Sequence, residues 1–244
     1  LSAIESLPAG VTVRKVRDDW QAFNGHRPGS DVPPAKATST VFVDLNLAFF
    51  EDGIVIDVAP KTVLRSPIHV LFVSGGGPAP AMVSPRLSVT AGEQSEISIV
   101  ESYVGFGDGV TLANAVTELR LGPNAVVNHV KIQRELPTAF HIAHTTARLD
   151  RSGTLVSHAV SLGGRIARND IVAVLDGEGA ECTLNGLYVA DGDTLVDTHT
   201  TIDHAKPHCP SHELYKGILD GRARAVFNGK IIVRPDAQKT DAKQ

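Results

Sequence analysis

Cysteine is nearly absent from this sequence, with only Cys182 and Cys209 among 244 residues. Two thiols so far apart form neither a disulfide framework nor a Cys-x-x-Cys redox motif, so a reducing, cytosol-like compartment is expected. Aromatic residues are scarce, at 5% with a single Trp. Long apolar runs are missing as well. The longest stretch without Asp, Glu, Lys or Arg runs from Ser66 to Pro85, and Gly75, Gly76, Gly77, Pro78 and Pro80 interrupt it, which excludes a membrane span. No secretory leader pattern opens the chain. Basic charge is not in excess, at 23 Lys+Arg against 27 Asp+Glu, so neither nucleic acid nor a membrane surface is indicated as a partner. The one Met is Met82 and the sequence starts at Leu1, which leads us to expect a processed chain or a piece of a longer one.

What is abundant is valine, with 22 Gly and 14 Pro as punctuation. That composition reads as many short β-branched strands between turns and excludes a helical bundle. The first fifty residues differ from the rest. Arg17 to Asn24 suits a short helix, Gly25 to Pro34 is turn-rich, and Val41 to Phe50 is apolar enough to be buried as strand or helix. We treat 1–50 as a covering segment and 51–244 as the core.

Within the core, self-similarity is the informative signal. Leu175-Asp176-Gly177 recurs as Leu219-Asp220-Gly221, and Ala180 to Val189 matches Ala223 to Ile232 at an offset of 43. Weaker copies begin at Leu121 and Leu149, giving spacings of 28, 26 and 44, the last close to two shorter units. Asn185-Gly186 and Asn228-Gly229 are hairpin signals, and they keep an antiparallel sandwich in contention. The recurrence favours a parallel β-helix, in which each turn repeats its corner and small aliphatic residues fill a narrow interior.

The richest polar cluster spans Asp197 to His212. His204, His208, Cys209 and His212 are the candidate metal ligands. Strand alternation places Asp197, His199, Thr201 and Asp203 on one face and His204 on the other, while Pro207 and Pro210 break any helix that would align His204, His208 and His212. A structural corner is therefore the main expectation for this segment, with Cys209 as an exposed thiol. Cys182 alternates with Ala180 and Leu184 and is expected inside the coil as a small hydrophobe. His129, His141, His144 and His158 are read as surface or corner residues. Paired acids such as Asp18-Asp19 and Glu51-Asp52 read as solvated turns or helix ends.

Nucleotide chemistry is not encoded. Gly75-Gly76-Gly77 lacks a following Gly-Lys-Ser/Thr, and Gly229-Lys230 continues into Ile231. There is no Gly-x-Ser-x-Gly elbow. Arg222 and Arg224 could mimic the basic face of a β-helix lyase or hydrolase acting on acidic polysaccharide, yet no convergent Asp set accompanies them.

Several segments resemble a known family: Leu47-Ala-Phe-Phe-Glu-Asp-Gly53, Pro67 to Ser74, Val100 to Tyr103, His208-Cys-Pro-Ser211, Tyr215 to Val233 and Ala237 to Gln244. Together they look like the SufB/SufD family of iron-sulfur cluster assembly proteins, with Ala225-Val-Phe-Asn-Gly-Lys230 and Gln238-Lys-Thr-Asp241 nearer SufD. The resemblance implies an all-β, right-handed parallel β-helix with a short N-terminal covering segment. It implies a non-catalytic scaffold that pairs with a SufB-like protein and acts with a SufC-like ATPase, in the cytoplasm or, in a plant or alga, the plastid stroma. It also implies that the C-terminal helical domain contacting the ATPase lies beyond Gln244. No cofactor is expected to bind this chain tightly; iron or an iron-sulfur cluster is expected only in the assembled complex. An uncapped β-helix end predicts self-association into a homodimer.

Overall fold

The structure, a computed structural model, describes residues 7–15, 41–51 and 53–243. The helix expected at Arg17 to Asn24 and the turns at Gly25 to Pro34 lie outside the described residues. From Gly53 onward the chain alternates between two sheets and makes about seven turns of a β-solenoid. Sheet A runs, in spatial order, through β1 (Val11–Lys15), β2 (Gly53–Val58), β5 (Arg86–Ala91), β7 (Thr111–Leu121), β9 (Phe140–Leu149), β11 (Ile166–Leu175), β13 (Leu195–His204) and β15 (Arg224–Val233). Sheet B holds β3 (Ile68–Gly76), β6 (Glu96–Gly107), β8 (Val126–Arg134), β10 (Thr154–Ser161), β12 (Glu181–Ala190), β14 (Pro210–Leu219) and β16 (Asp241–Lys243). A short β4 (Ala81–Val83) pairs with the start of β7.

Every ladder except β1–β2 is parallel, so the antiparallel sandwich is excluded. Asn185 and Gly186 sit in mid-strand opposite Leu214 and Tyr215, and Asn228 and Gly229 likewise oppose His199 and Thr200. At Gly186 the requirement is packing, because a Cβ there would run into the Tyr215 ring. The 43-residue offset read from the sequence is not one turn of the coil. The copies offset by 43 are β12 and β15, which belong to different sheets, so that offset spans one and a half turns. The true rung stacks Leu121, Leu149 and Leu175, and its next member is His204, not Leu219.

The corners leading from sheet A to sheet B share one device. Gln94, Asn124, Ser152, Gly179 and His208 all have positive φ, and each is followed by a buried small residue: Ser95, Ala125, Gly153, Ala180 or Cys209. The amide of each left-handed residue donates to a carbonyl in the next corner, as Asn124 does to Arg151 and His208 to Gln238. The corners thus stack as regularly as the strands.

At the N-terminal end, β1 closes the edge of sheet A in antiparallel register. Helix α1 (Val41–Phe49) lies on the outside of sheet A, where β4 and β5 leave Asn114 and Ala115 of β7 unpaired on that edge while β9 pairs them on the other. The Asn46 amide fills that gap, donating to Asn114 O at 2.7 Å and Pro85 O at 3.2 Å, while Asn114 donates back to Phe42 O at 2.9 Å. The apolar burial expected of this segment is not what holds it: Val41 is 74% exposed and Phe49 59%. An amide satisfying orphaned backbone groups anchors it instead.

The interior divides lengthwise. Beside the A-to-B corners it is dry, with Leu119, Leu149, Leu155, Leu175 and Leu184 in one continuous cluster. Beside the B-to-A corners the inward positions are largely polar or small, and apolar contacts shrink to patches such as Tyr103, Ala115 and Ala143.

Candidate functional site: an ionic network inside the solenoid

The polar half of the interior concentrates charge between β6 and β11. Parallel pairing at a spacing of about 4.8 Å sets Glu101 of β6 beside Lys131 of β8, and Tyr103 beside Gln133. Ile97 and Ile99 of β6, and Val127 of β8, fix the inward phase at the dry end; strand alternation then carries Glu101, His129, Lys131 and Gln133 inward too. From sheet A, Thr117, His141 and Asn169 reach the same space, and Glu135 enters from the corner between β8 and β9.

The contacts form one network. Glu101 accepts from Thr117 at 2.9 Å and Tyr103 OH at 3.3 Å, and its other oxygen lies 3.1 Å from His129 Nε2. His129 Nδ1 meets Ser157 Oγ at 3.0 Å. Lys131 donates to Asn169 at 2.6 Å and lies 5.4 Å from the Tyr103 ring centre. Gln133 donates to Glu135 at 3.2 Å. His141 Nδ1 sits 2.8 Å from Glu135 Oε2, outside hydrogen-bond geometry, so that contact is electrostatic. Tyr103 stacks on Phe72 and packs edge-on against His141.

Burial should neutralise such groups, and the balance of forces decides which ones resist. Desolvation is the largest influence on Glu101, yet His129, Lys131 and Thr117 together outweigh it and hold its carboxyl below the usual range. Glu135 is lowered in the same way by His141, Gln133 and Lys131. Burial drags the Lys131 ammonium down to about 8, with Glu101 and Glu135 opposing the fall. His141 is pushed down, first by burial and then by Lys131, and Tyr103 is driven well above its ordinary value. At neutral pH the interior therefore holds two carboxylates and one ammonium. The arrangement places a carboxylate, an imidazole and a hydroxyl in one row of contacts, Glu101–His129–Ser157. It offers no metal centre, because among the described residues no three His, Cys, Asp or Glu side chains are grouped to hold an ion.

A smaller polar group lies near the last turns. Glu213 of β14 is buried with both carboxylate oxygens lacking hydrogen-bond partners among the described residues; burial raises its pKa, and Thr200 is the neighbour that opposes the rise. Cys182 and Tyr215 sit close enough to be raised further by its charge.

The expected ligand residues scatter. His204 points inward from β13, its Nε2 3.0 Å from Ser211 Oγ, and burial lowers its pKa. His208 occupies the left-handed corner position and is exposed, whereas Cys209 behind it is fully buried with its thiol 3.4 Å from Gly177 O. The exposed thiol expected at Cys209 is thus corrected: the corner device reserves that position for a small inward residue, and burial raises the thiol pKa. His212 is half-buried on the outer face of sheet B. Cys182 is interior, as expected. Outside, His199 bonds Asp197 at 2.8 Å. His129, His141 and His144, read as surface or corner residues, are all buried, and only His158 is exposed. Arg222 is bidentate to Asp193 at 2.7 Å through both contacts, next to the exposed Arg224.

A sequence profile described as "SUF system FeS cluster assembly, SufBD core domain" matches residues 72–244. The chain belongs to the SufBD core family. Among curated members and relatives, a SufBD family protein of Synechocystis is 35% identical over 255 residues, covering 100% of this chain and 55% of that protein. SufD of Escherichia coli is 33% identical over 199 residues, covering 75% and 47%, and ABCI7 of Arabidopsis thaliana, named as chloroplastic, is 28% identical over 211 residues, covering 84% and 44%. This SufBD-family chain is therefore SufD-like and spans about half the length of the curated relatives it matches. No helix among its described residues is long and apolar enough to cross a membrane.

Proposed function

We propose that this chain is a non-catalytic scaffold component of SUF iron-sulfur cluster assembly, pairing with a SufB-like protein and depending on a SufC-like ATPase. The family match over residues 72–244 carries the reading. The absence of a phosphate-binding loop from the sequence agrees with ATP turnover in a partner. Self-pairing of the chain when no partner is present is part of the same proposal. Iron or a cluster is then cargo held by the assembly, and the compartment is the cytoplasm or a plastid stroma. Co-expression of the tagged chain with the SufB-like and SufC-like proteins of its source tests this. Co-purification of the SufB-like protein is expected, with ATPase activity only when the SufC-like protein is present. Recovery of neither, or uronate cleavage by the chain alone, overturns it.

A further inference from the structure

The two outer faces of the solenoid differ sharply in chemistry. Outward residues of sheet A are tied by ion pairs: Arg168 with Asp170 and Asp197, Arg86 and Arg120 with Glu118, and Arg234 with Asp203. On the outer face of sheet B the one ion pair among the described residues is Lys243 with Asp241, in the last strand. Leu71, Val73, Phe106, Leu187, Leu214 and Ile218 are each 41% exposed or more, spread from β3 to β14. Its acids, Glu96, Glu181 and Asp241, each open their strands on the rung beside the A-to-B corners. Beyond that rung its charged side chains among the described residues are cations: Lys243, paired with Asp241, and Arg134 and Lys216, both exposed and without a carboxylate partner among the described residues.

We propose that the outer face of sheet B docks an amphipathic helix of a partner protein, whose apolar stripe is bordered by carboxylates. An exposed apolar patch of this extent marks an interaction site. In the interior strands of sheet B the backbone groups are already spent on ladders to both sides, so a partner there meets side chains alone and must satisfy its own backbone, as a helix does. Six strands span about 24 Å, the length of a helix of about 16 residues. Charge selects the border. Arg134 and Lys216 make no ion pair among the described residues, and a helix with Glu or Asp beside its stripe supplies one to each. A second copy does not supply carboxylates beside the apolar stripe, because its own are confined to the corner rung.

The test uses the whole chain and two synthetic 18-residue helical peptides with an identical leucine stripe, one bordered by Glu and the other by Lys, followed by fluorescence anisotropy. The Glu-bordered peptide is expected to bind at least about tenfold more tightly, a gap that narrows as salt rises. The double variant Leu214→Asp/Ile218→Asp should weaken it at least about tenfold, and Asn228→Asp on sheet A should not. Lys216→Glu alters one exposed side chain and serves if the double variant fails to fold; it should shrink the preference for the Glu-bordered peptide. Equal binding of the two peptides, binding of neither, or equal effects of the sheet A and sheet B variants overturns the proposal. So does a concentration-dependent dimer that Leu214→Asp/Ile218→Asp abolishes, which assigns the face to a second copy. The outcome is separate from the SUF reading, which stands or falls on co-purification.

Discussion

The two halves of the interior are built by the same strands and obey different physics. Beside the A-to-B corners, Leu121, Leu149 and Leu175 stack in register and exclude water. A few residues along the same strands, Thr117, His141 and Asn169 face Glu101, His129 and Lys131. The dry half is stabilised by burial, a term indifferent to pH. The ionic half is stabilised only while its partners remain complete, because each charge there is held by its neighbours. A solenoid can carry both because parallel stacking repeats each position: an apolar rung remains apolar, and a polar rung collects its partners from successive turns.

Removing one partner should break the ionic half most severely. Glu101→Ala strands Lys131 and His129 in the interior and is expected to cost about 3–5 kcal/mol in urea denaturation at pH 7. The folded state holds the Glu101 carboxyl below 4.5, so its contribution is present above that pH and is lost as pH falls through the folded value. The cost of Glu101→Ala should therefore shrink in acid. Leu149→Ala, in the dry half, is expected to cost about 2–5 kcal/mol at every pH where the protein folds. Equal pH dependence of the two variants would erase the distinction.

Smaller effects sharpen the boundary. Gly186→Ala pushes a methyl group into the Tyr215 ring and should cost about 1–3 kcal/mol by thermal melting; a neutral result would show that the ring is free to move. His208 pays for a left-handed backbone at φ 61. His208→Gly should leave stability unchanged or raise it by up to about 1 kcal/mol, and a clear loss would mean the imidazole does more than turn the corner.

Much of the fold was legible in the sequence, because Leu121, Leu149 and Leu175 announce the turn and their spacings of 28 and 26 match the strand register. The strongest copy misled, since β12 and β15 share an alternation that suits either sheet and so resemble each other across one and a half turns. Helix α1 was missed as a polar anchor because the orphaned carbonyl of Asn114 exists only once β4 and β5 have folded. The ionic network was hidden for a different reason. Its members lie a full turn apart in sequence, and their strands place Val100, Val130 and Ile132 on the outside, reversing the usual inward apolar phase. The signal that could have found it was present: Glu101-x-Tyr103 and His129-x-Lys131-x-Gln133 alternate polar residues in phase with inward Ile97, Ile99 and Val127. The same reversal leaves valine and leucine on the outer face of sheet B.

The central claim is that the solenoid interior holds charges ionised by mutual contact, and Lys131 reports on it directly. Following its Nζ by nitrogen-15 NMR through a pH titration of the folded chain should give a pKa of about 8. A value at the ordinary 10.5 would place the ammonium in water and contradict the account.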